Sequence, residues 1–260
     1  MSFDERTRII LGDGGMAALK AASAVVYGLG GVGAACAMDL VRAGVGRVVA
    51  LDFDELSESN LNRLYFGYRG DVGRPKAEVF ADYARRVNPE VLIEASPRFF
   101  SGASAEEAVA AAAAGGRAVH LDCVDSLNPK VNLLAALARS GLPFAASMGT
   151  AGRLDPGRLR LTSFWLSRGC PLAREVRNRL RRLGVDADFP AVWSDEPPTP
   201  PVERPAGPAE EQKAPGRVRK MQGSAPFVPQ AAGHFLASWA VRRILEEAVL
   251  DGPASVPEDS

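Results

Sequence analysis

The apolar run Ala24-Val25-Val26-Tyr27 leads straight into Gly28-Leu29-Gly30-Gly31-Val32-Gly33, and a helical pattern then continues through Leu40 and Val41 to a stop at Gly44. A strand that is apolar on both faces must be covered on both faces. Parallel sheets flanked by helices meet that demand. Further short apolar strands are expected at 48–52, 91–94, 118–122 and 143–147, with helices at 76–86, 103–114 and 130–139 between most of them. Pro75 and Pro129 stand just ahead of two of these helices, where a missing N–H costs nothing. This order predicts an α/β, Rossmann-like, doubly wound and mainly parallel sheet.

The alternation breaks twice. Residues 53–74 form a long connection containing Ser57-Glu58-Ser59-Asn60-Leu61-Asn62-Arg63, and structureless stretches of that length in compact domains usually carry function. After Ser147, strands at 159–164 and 191–194 and helices at 171–183 and 230–249 form a C-terminal extension. The segment 197–215 holds seven prolines without apolar periodicity, the pattern of a flexible crossover or lid. The organisation expected is one domain over 1–250, with a nucleotide-binding half at 1–150, a substrate half at 151–250 and a loose tail at 251–260.

In an open parallel sheet, ligands gather beyond the carboxyl ends of the strands. Gly28, Gly30, Gly31 and Gly33 follow the first strand there, Asp52 ends the second, and Asp122 and Asp125 end the fourth. Glycines let backbone N–H groups and a helix N-terminus approach a phosphate, and Asp52 can accept from ribose hydroxyls. The pattern Gly-x-Gly-x-x-Gly alone equally suits an NAD dehydrogenase. Asn60 and Arg63 lie three apart, so a helical turn faces them the same way, and Lys76 opens the following helix. Arg, Lys and Asn together suit a triphosphate whose pyrophosphate must leave, because the cations stabilise the charge that develops on it. The alternative for Arg63 and Lys76 is a solvated surface.

Taken together, Gly28-Leu-Gly-Gly-Val-Gly33, Asp52-Phe-Asp54, Ser59-Asn-Leu-Asn-Arg63, Val72-Gly-Arg-Pro-Lys76 and Asp122-Cys-Val-Asp125 resemble the ubiquitin-activating-enzyme-like superfamily, whose members adenylate carboxylates. The resemblance implies an ATP and Mg2+ site in which Asp52, with Asp54 beside it, binds the ribose, Arg63 and Lys76 act on the phosphates, Asn60 supports the phosphate end, and Asp125, next to Ser126, helps hold the metal. Within that superfamily, Gly152-Arg-Leu-Asp-Pro156, Cys170-Pro-Leu-Ala-Arg-Glu-Val-Arg177, Val192-Trp-Ser-Asp-Glu196 and Gly223-Ser-Ala-Pro-Phe-Val-Pro229 are similar to the tRNA threonylcarbamoyladenosine dehydratase branch. That branch converts the threonylcarbamoyl group of a tRNA adenosine into a cyclic hydantoin. It implies a tRNA partner and a homodimer, with Arg6 as a residue reaching the partner's nucleotide. A monovalent cation and a sulfur-relay partner protein are compatible with the resemblance, with no residues assigned to them. Cys170 departs from the branch, where Asp usually precedes Pro-Leu.

Composition trims the alternatives. Thirty-one basic against thirty-one acidic residues speak against indiscriminate nucleic-acid binding, which needs many phosphates neutralised at once. A local basic face is still available on the helix at 171–183, since 168–182 holds six arginines and one acid. Cys36, Cys123 and Cys170 form neither a disulfide framework nor a Cys-x-x-Cys zinc pair, which fits a reducing cytoplasm, and no membrane segment is expected. His120 and His234 read as packing or surface residues. Two other readings remain open from the residues: an adenylyltransferase acting on the C-terminus of a ubiquitin-like protein, with Cys170 as a thiol nucleophile, and an NAD-binding dehydrogenase or redox sensor.

Overall fold

The computed structural model describes residues 2–97, 104–113, 118–204 and 219–251. Its elements follow in the order α1 (Glu5–Ala21), β1 (Ser23–Tyr27), α2 (Gly31–Ala43), β2 (Arg47–Leu51), α3 (Lys76–Val87), β3 (Leu92–Ser96), α4 (Ser104–Ala113), β4 (Ala118–Asp122), α5 (Leu127–Ser140) and β5 (Phe144–Ser147), then β6 (Leu159–Ser163), α6 (Pro171–Arg182), β7 (Pro190–Ser194), β8 (Val202–Arg204), β9 (Arg219–Met221) and α7 (Phe227–Asp251). Seven strands make one sheet in the order β3-β2-β1-β4-β5-β7-β6. Every pairing is parallel except that of β6 with β7. The doubly wound sheet and its C-terminal extension are therefore as the sequence predicts. Strand order reverses between β1 and β4, so the crevice beyond their carboxyl ends is where a ligand is expected.

All five residues of β1 are buried, because the sheet carries helices on both sides. Ala24 and Val26 pack into one apolar layer with residues of α2, α3 and α7, whereas Val25 and Tyr27 pack into the other with residues of α4, α5 and α6. Period-two alternation thus divides one strand between two cores. On the first side α7 lies directly on α2, and a Cβ at Gly233 would fall 2.4 Å from the Val32 carbonyl oxygen. Only a glycine allows that approach.

Three features depart from the sequence reading. The N-terminal helix α1, broken at Gly12 where φ is 68°, has no counterpart in that reading. The connection at 53–74 is ordered rather than structureless, with 3-10 turns at Glu58–Asn60 and Arg69–Asp71 and a bridge between Glu55 and Pro75. Part of the proline-rich segment is ordered too, for β8 pairs antiparallel with β9, while residues 205–218 and 252–260 lie outside the described residues. Among the described residues no helix is long and apolar enough to cross a membrane.

Both histidines have structural partners. His234 Nδ1 lies 2.5 Å from Asp39 Oδ2, and His120, fully buried in β4, pairs through Nδ1 with the Tyr27 hydroxyl at 2.8 Å. Burial lowers the His120 pKa from its ordinary value near 6.5 to about 4. The folded state therefore binds fewer protons than the unfolded chain between those values, so stability rises with pH across that window and is lost as pH falls through it. Urea unfolding should show a loss approaching ~1.4 kcal/mol per pH unit in its steepest part. His120→Asn, whose amide can still reach the Tyr27 hydroxyl, should remove this component; an unchanged slope in that variant would assign the acid sensitivity elsewhere.

Candidate active site

A cavity of about 550 Å³ opens beyond the carboxyl ends of β1, β2 and β4. The glycine turn forms its floor. Gly28 sits at φ +89°, a conformation that favours glycine, and its N–H donates to the Leu51 carbonyl at 2.7 Å. Gly30 caps α2 and has open space before it, which leaves the helix N-terminus accessible to an anion. Gly31 lies beneath Arg63, whose Cγ would be 3.3 Å from a Cβ placed there. Gly33 does not line the cavity. A Cβ there would lie 1.8 Å from the Gly28 carbonyl oxygen, so this glycine lets α2 pack against its own turn.

Asp52, 7 % exposed, ties the turn to the second strand. Its Oδ2 accepts from the Leu29 N–H at 2.6 Å and its Oδ1 from the Asp54 N–H at 2.8 Å. Lys76 is 5 % exposed, which excludes the solvated reading of that residue, and its Nζ lies 2.8 Å from Asp54 Oδ2 and 3.9 Å from Asp52 Oδ1. Burial pushes the Asp52 carboxyl above its ordinary value, while Lys76 and the two N–H donors oppose that shift. Each carboxylate oxygen retains a lone pair for a further donor.

The ordered connection delivers the remaining groups. Asn60 Oδ1 accepts from the Ser57 N–H at 3.2 Å and so closes the turn that presents Arg63. Arg63 Nη1 donates to Ser59 O and Asn62 Oδ1, both at 2.9 Å, leaving Nε and Nη2 without partners among the described residues. Both Asn60 and Arg63 line the cavity, as three-residue spacing predicts.

Asp125 and Ser126 line it from the β4–α5 loop, with 3.4 Å between Ser126 Oγ and Asp125 Oδ1. Asp122, which the sequence places beside Asp125, does not reach the cavity. It is fully buried, accepts from Lys130 Nζ at 2.5 Å and from the Val124 N–H at 3.0 Å, and so anchors the loop that carries Asp125. Lys130 escapes the sequence reading, although a lysine directly before the apolar run of α5 is a signal that could have exposed it.

The far wall comes from the second half of the chain, through residues 147–151, Arg153, Cys170, Leu172, Gln222 and Ser224. Arg153 lies inside a motif quoted above, yet sequence gives it no role. Cys170 is 4 % exposed, and its Sγ accepts from the Ala173 N–H at 3.4 Å, which makes it the N-cap of α6. Three arginines of α6 are engaged locally: Arg177 with Ser167, Arg179 with Asn128, and Arg181 over the Trp165 ring at 5.1 Å. Arg168, Arg174 and Arg182 are exposed. Among the described residues no cluster of three or more His, Cys, Asp and Glu could hold a metal by itself.

The model of the ThiF family matches residues 4–156, more than half of the chain and all of the glycine, Asp52, Arg63, Lys76 and Asp125 motifs. The chain belongs to the ThiF family. This ThiF-family protein is 29 % identical over 243 residues to the Bacillus subtilis tRNA threonylcarbamoyladenosine dehydratase, a match that covers 93 % of the chain and 94 % of the relative. Its fold is similar to that of the Escherichia coli tRNA N6-threonylcarbamoyladenosine dehydratase solved in complex with ATP, with a TM-score of 0.81, 26 % identity, and 95 % and 96 % of the two chains covered. It is also 34 % identical to the Salmonella typhimurium molybdopterin-synthase adenylyltransferase, over 54 % of either chain.

The two cations of this ThiF-family site differ in what they do for the fold. Lys76→Met leaves Asp52 buried without its cation and should lower stability by about 2–4 kcal/mol. Arg63→Ala removes a partly exposed side chain and should cost about 1 kcal/mol or less. Chemical denaturation of both variants checks this, and equal losses would contradict the assignment.

Proposed function

We propose that this protein adenylates the carboxylate of the threonylcarbamoyl group on a tRNA adenosine and closes it to the cyclic hydantoin. The observation that carries this reading is one continuous cavity in which the adenylating motifs of the first half face the 147–153 and α6 wall of the second. Similarity to dehydratases extends across both halves, whereas similarity to the adenylyltransferase spans about half of the chain. Arg63, Lys76 and Asp125, all on the cavity lining, favour a triphosphate over a dinucleotide.

In the first step a carboxylate oxygen bonds to the α-phosphorus of ATP, and the bond from that phosphorus to the bridging oxygen breaks. The electron pair departs with pyrophosphate, whose growing charge meets the free guanidinium nitrogens of Arg63 and, deeper in the site, Lys76. In the second step a nitrogen of the same modification adds to the acyl carbon, the bond to AMP breaks, and the nitrogen gives up its proton. The net change is loss of one water, with its oxygen carried away on AMP. Ring closure is intramolecular, and well-oriented reactions of that kind reach effective molarities of ~10⁵–10⁸ M, so no enzyme thiol is needed. Cys170 accordingly serves as a helix cap.

Asp125 is an exposed carboxylate on the cavity wall, which fits Mg2+, since that ion commonly takes one or two carboxylates together with substrate phosphates. Bound there, the ion would neutralise phosphate charge. Arg168 and Arg182, with Arg174 beside its Glu175 partner, supply a small set of exposed cations for tRNA phosphates, in keeping with a chain of zero net charge. A homodimer is supported by the exposed Phe3, Ile9 and Ile10 side chains on and beside α1.

Incubation with ATP, magnesium and tRNA carrying threonylcarbamoyladenosine, followed by nucleoside mass spectrometry, should show that nucleoside losing the mass of one water. Arg63→Ala should lower turnover by roughly 10²-fold or more. Cys170→Ala should retain it; a folded Cys170→Ala protein without turnover would restore covalent catalysis by that thiol. Threonylcarbamoyladenosine left unchanged by folded, ATP-binding protein would refute the dehydratase reading.

A further inference from the structure

Across the cavity from Arg63 and Lys76, the wall is organised around a cation that no step above uses. Arg153 is 3 % exposed. Its Nη1 donates to Gly149 O at 2.7 Å and Ala151 O at 3.3 Å, its Nε to Glu196 O at 2.8 Å and its Nη2 to Gly169 O at 3.4 Å. It forms no ion pair within 4 Å among the described residues, and the Glu196 carboxylate, held by the Leu154 and Asp155 N–H groups, acts on its charge only from farther away. Buried guanidinium groups usually keep a carboxylate partner, because neutral acceptors satisfy the donors while the charge stays uncompensated. Cys170 stands beside the same loop, with its Sγ 3.3 Å from where a Gly149 Cβ would lie, and it adds no carboxylate.

The loop held by Arg153 shows a matching gap in its hydrogen bonding. Met148 N–H donates to Val192 O and Gly152 N–H to Gly223 O, each at 2.7 Å. Between them, the N–H groups of Gly149, Thr150 and Ala151 and the Thr150 hydroxyl have no partner among the described residues, and all three residues line the cavity. The carbonyls of Gly149 and Ala151 are occupied by the guanidinium. Successive N–H groups without partners, on residues that line the cavity beside a buried guanidinium, are donors that an anion can use together.

We propose that the 149–151 loop is the subsite for the acceptor's carboxylate, and that Arg153 is the positioning residue that shapes and charges it. This rests on the dehydratase reading and adds the place where the acceptor is gripped. One carboxylate oxygen accepts from the loop donors while the other is left free to bond to the α-phosphorus, displacing pyrophosphate. The gripped oxygen becomes the acyl oxygen of the adenylate. It takes the negative charge when the nitrogen adds to the acyl carbon, and returns it as the bond to AMP breaks. The same donors thus serve both steps, as an oxyanion site does.

The test measures ATP affinity by calorimetry and steady-state turnover of modified tRNA for wild type, Thr150→Val, Arg153→Gln and Arg153→Lys. ATP affinity should remain within about twofold in all four, whereas kcat/KM for the tRNA should fall about tenfold in Thr150→Val and about 10²-fold in Arg153→Gln. Arg153→Lys, which keeps the charge, should recover most of the Arg153→Gln loss. A purely structural Arg153 would reduce ATP affinity and turnover together, and that result overturns the proposal. Should Arg153→Gln not fold, Thr150→Val decides, since its substitution is isosteric. Wild-type kcat/KM in folded Thr150→Val, with active wild-type protein, overturns the subsite alone. Wild-type protein inert on this tRNA overturns the dehydratase reading and the subsite with it.

Discussion

Asp52 joins three parts of the molecule that would otherwise be independent. One of its oxygens takes the N–H of Leu29 in the glycine turn, the other takes the N–H of Asp54, and Lys76 approaches from the start of α3. Without this carboxylate the glycine turn would lose its side-chain tie to the start of the connection that carries Asn60 and Arg63. The cost is visible in the raised pKa of the group, which burial drives and the cation and donors resist. A carboxylate kept in such a place is held by its neighbours, and in turn it holds them.

Buried cations recur around the cavity, each satisfied differently. Lys130 is neutralised completely by Asp122 and serves the β4–α5 loop. Lys76 shares Asp54 and Asp52 and still borders the cavity. Arg153 donates only to carbonyl oxygens, with the Glu196 carboxylate beyond ion-pair distance. The gradient from fully paired to unpaired charge follows the distinction between scaffold and site. It also explains how a chain with equal basic and acidic residues concentrates positive potential where phosphate and carboxylate groups would meet.

Local patterns in the sequence were enough to define the sheet, because glycine turns, apolar strands and proline-led helices each act over a few residues. Gly28, Gly30, Gly31, Asp52, Asp54, Asn60, Arg63, Lys76, Asp125 and Ser126 all line the cavity, since most follow the end of a strand or begin a helix, and Asn60 and Arg63 share one local turn. What escaped depends on distant partners. Asp122 looked like a site residue until Lys130 claimed it, and Gly33 looked like a phosphate residue although its work is packing. Helix α1 escapes the pattern because Gly12, Gly14 and Gly15 interrupt it and two of its apolar residues, Ile9 and Ile10, face outward. Arg153 was invisible as a site residue because its acceptors come from residues 149, 151, 169 and 196, which only the fold brings together.

Gly152 has a φ of +73° and is bonded on both sides, accepting from the Thr199 N–H and donating to the Gly223 carbonyl at 2.7 Å each. A side chain there would strike Gln222 and the Thr199 backbone. The segment between β8 and β9 therefore departs and returns at one clasp, and its ends stay fixed whatever its length. Closing a longer loop costs only about 0.6 kcal/mol per doubling. Evolution can thus lengthen, shorten or rewrite residues 205–218 almost freely, while the geometry of the cavity walls is inherited unchanged.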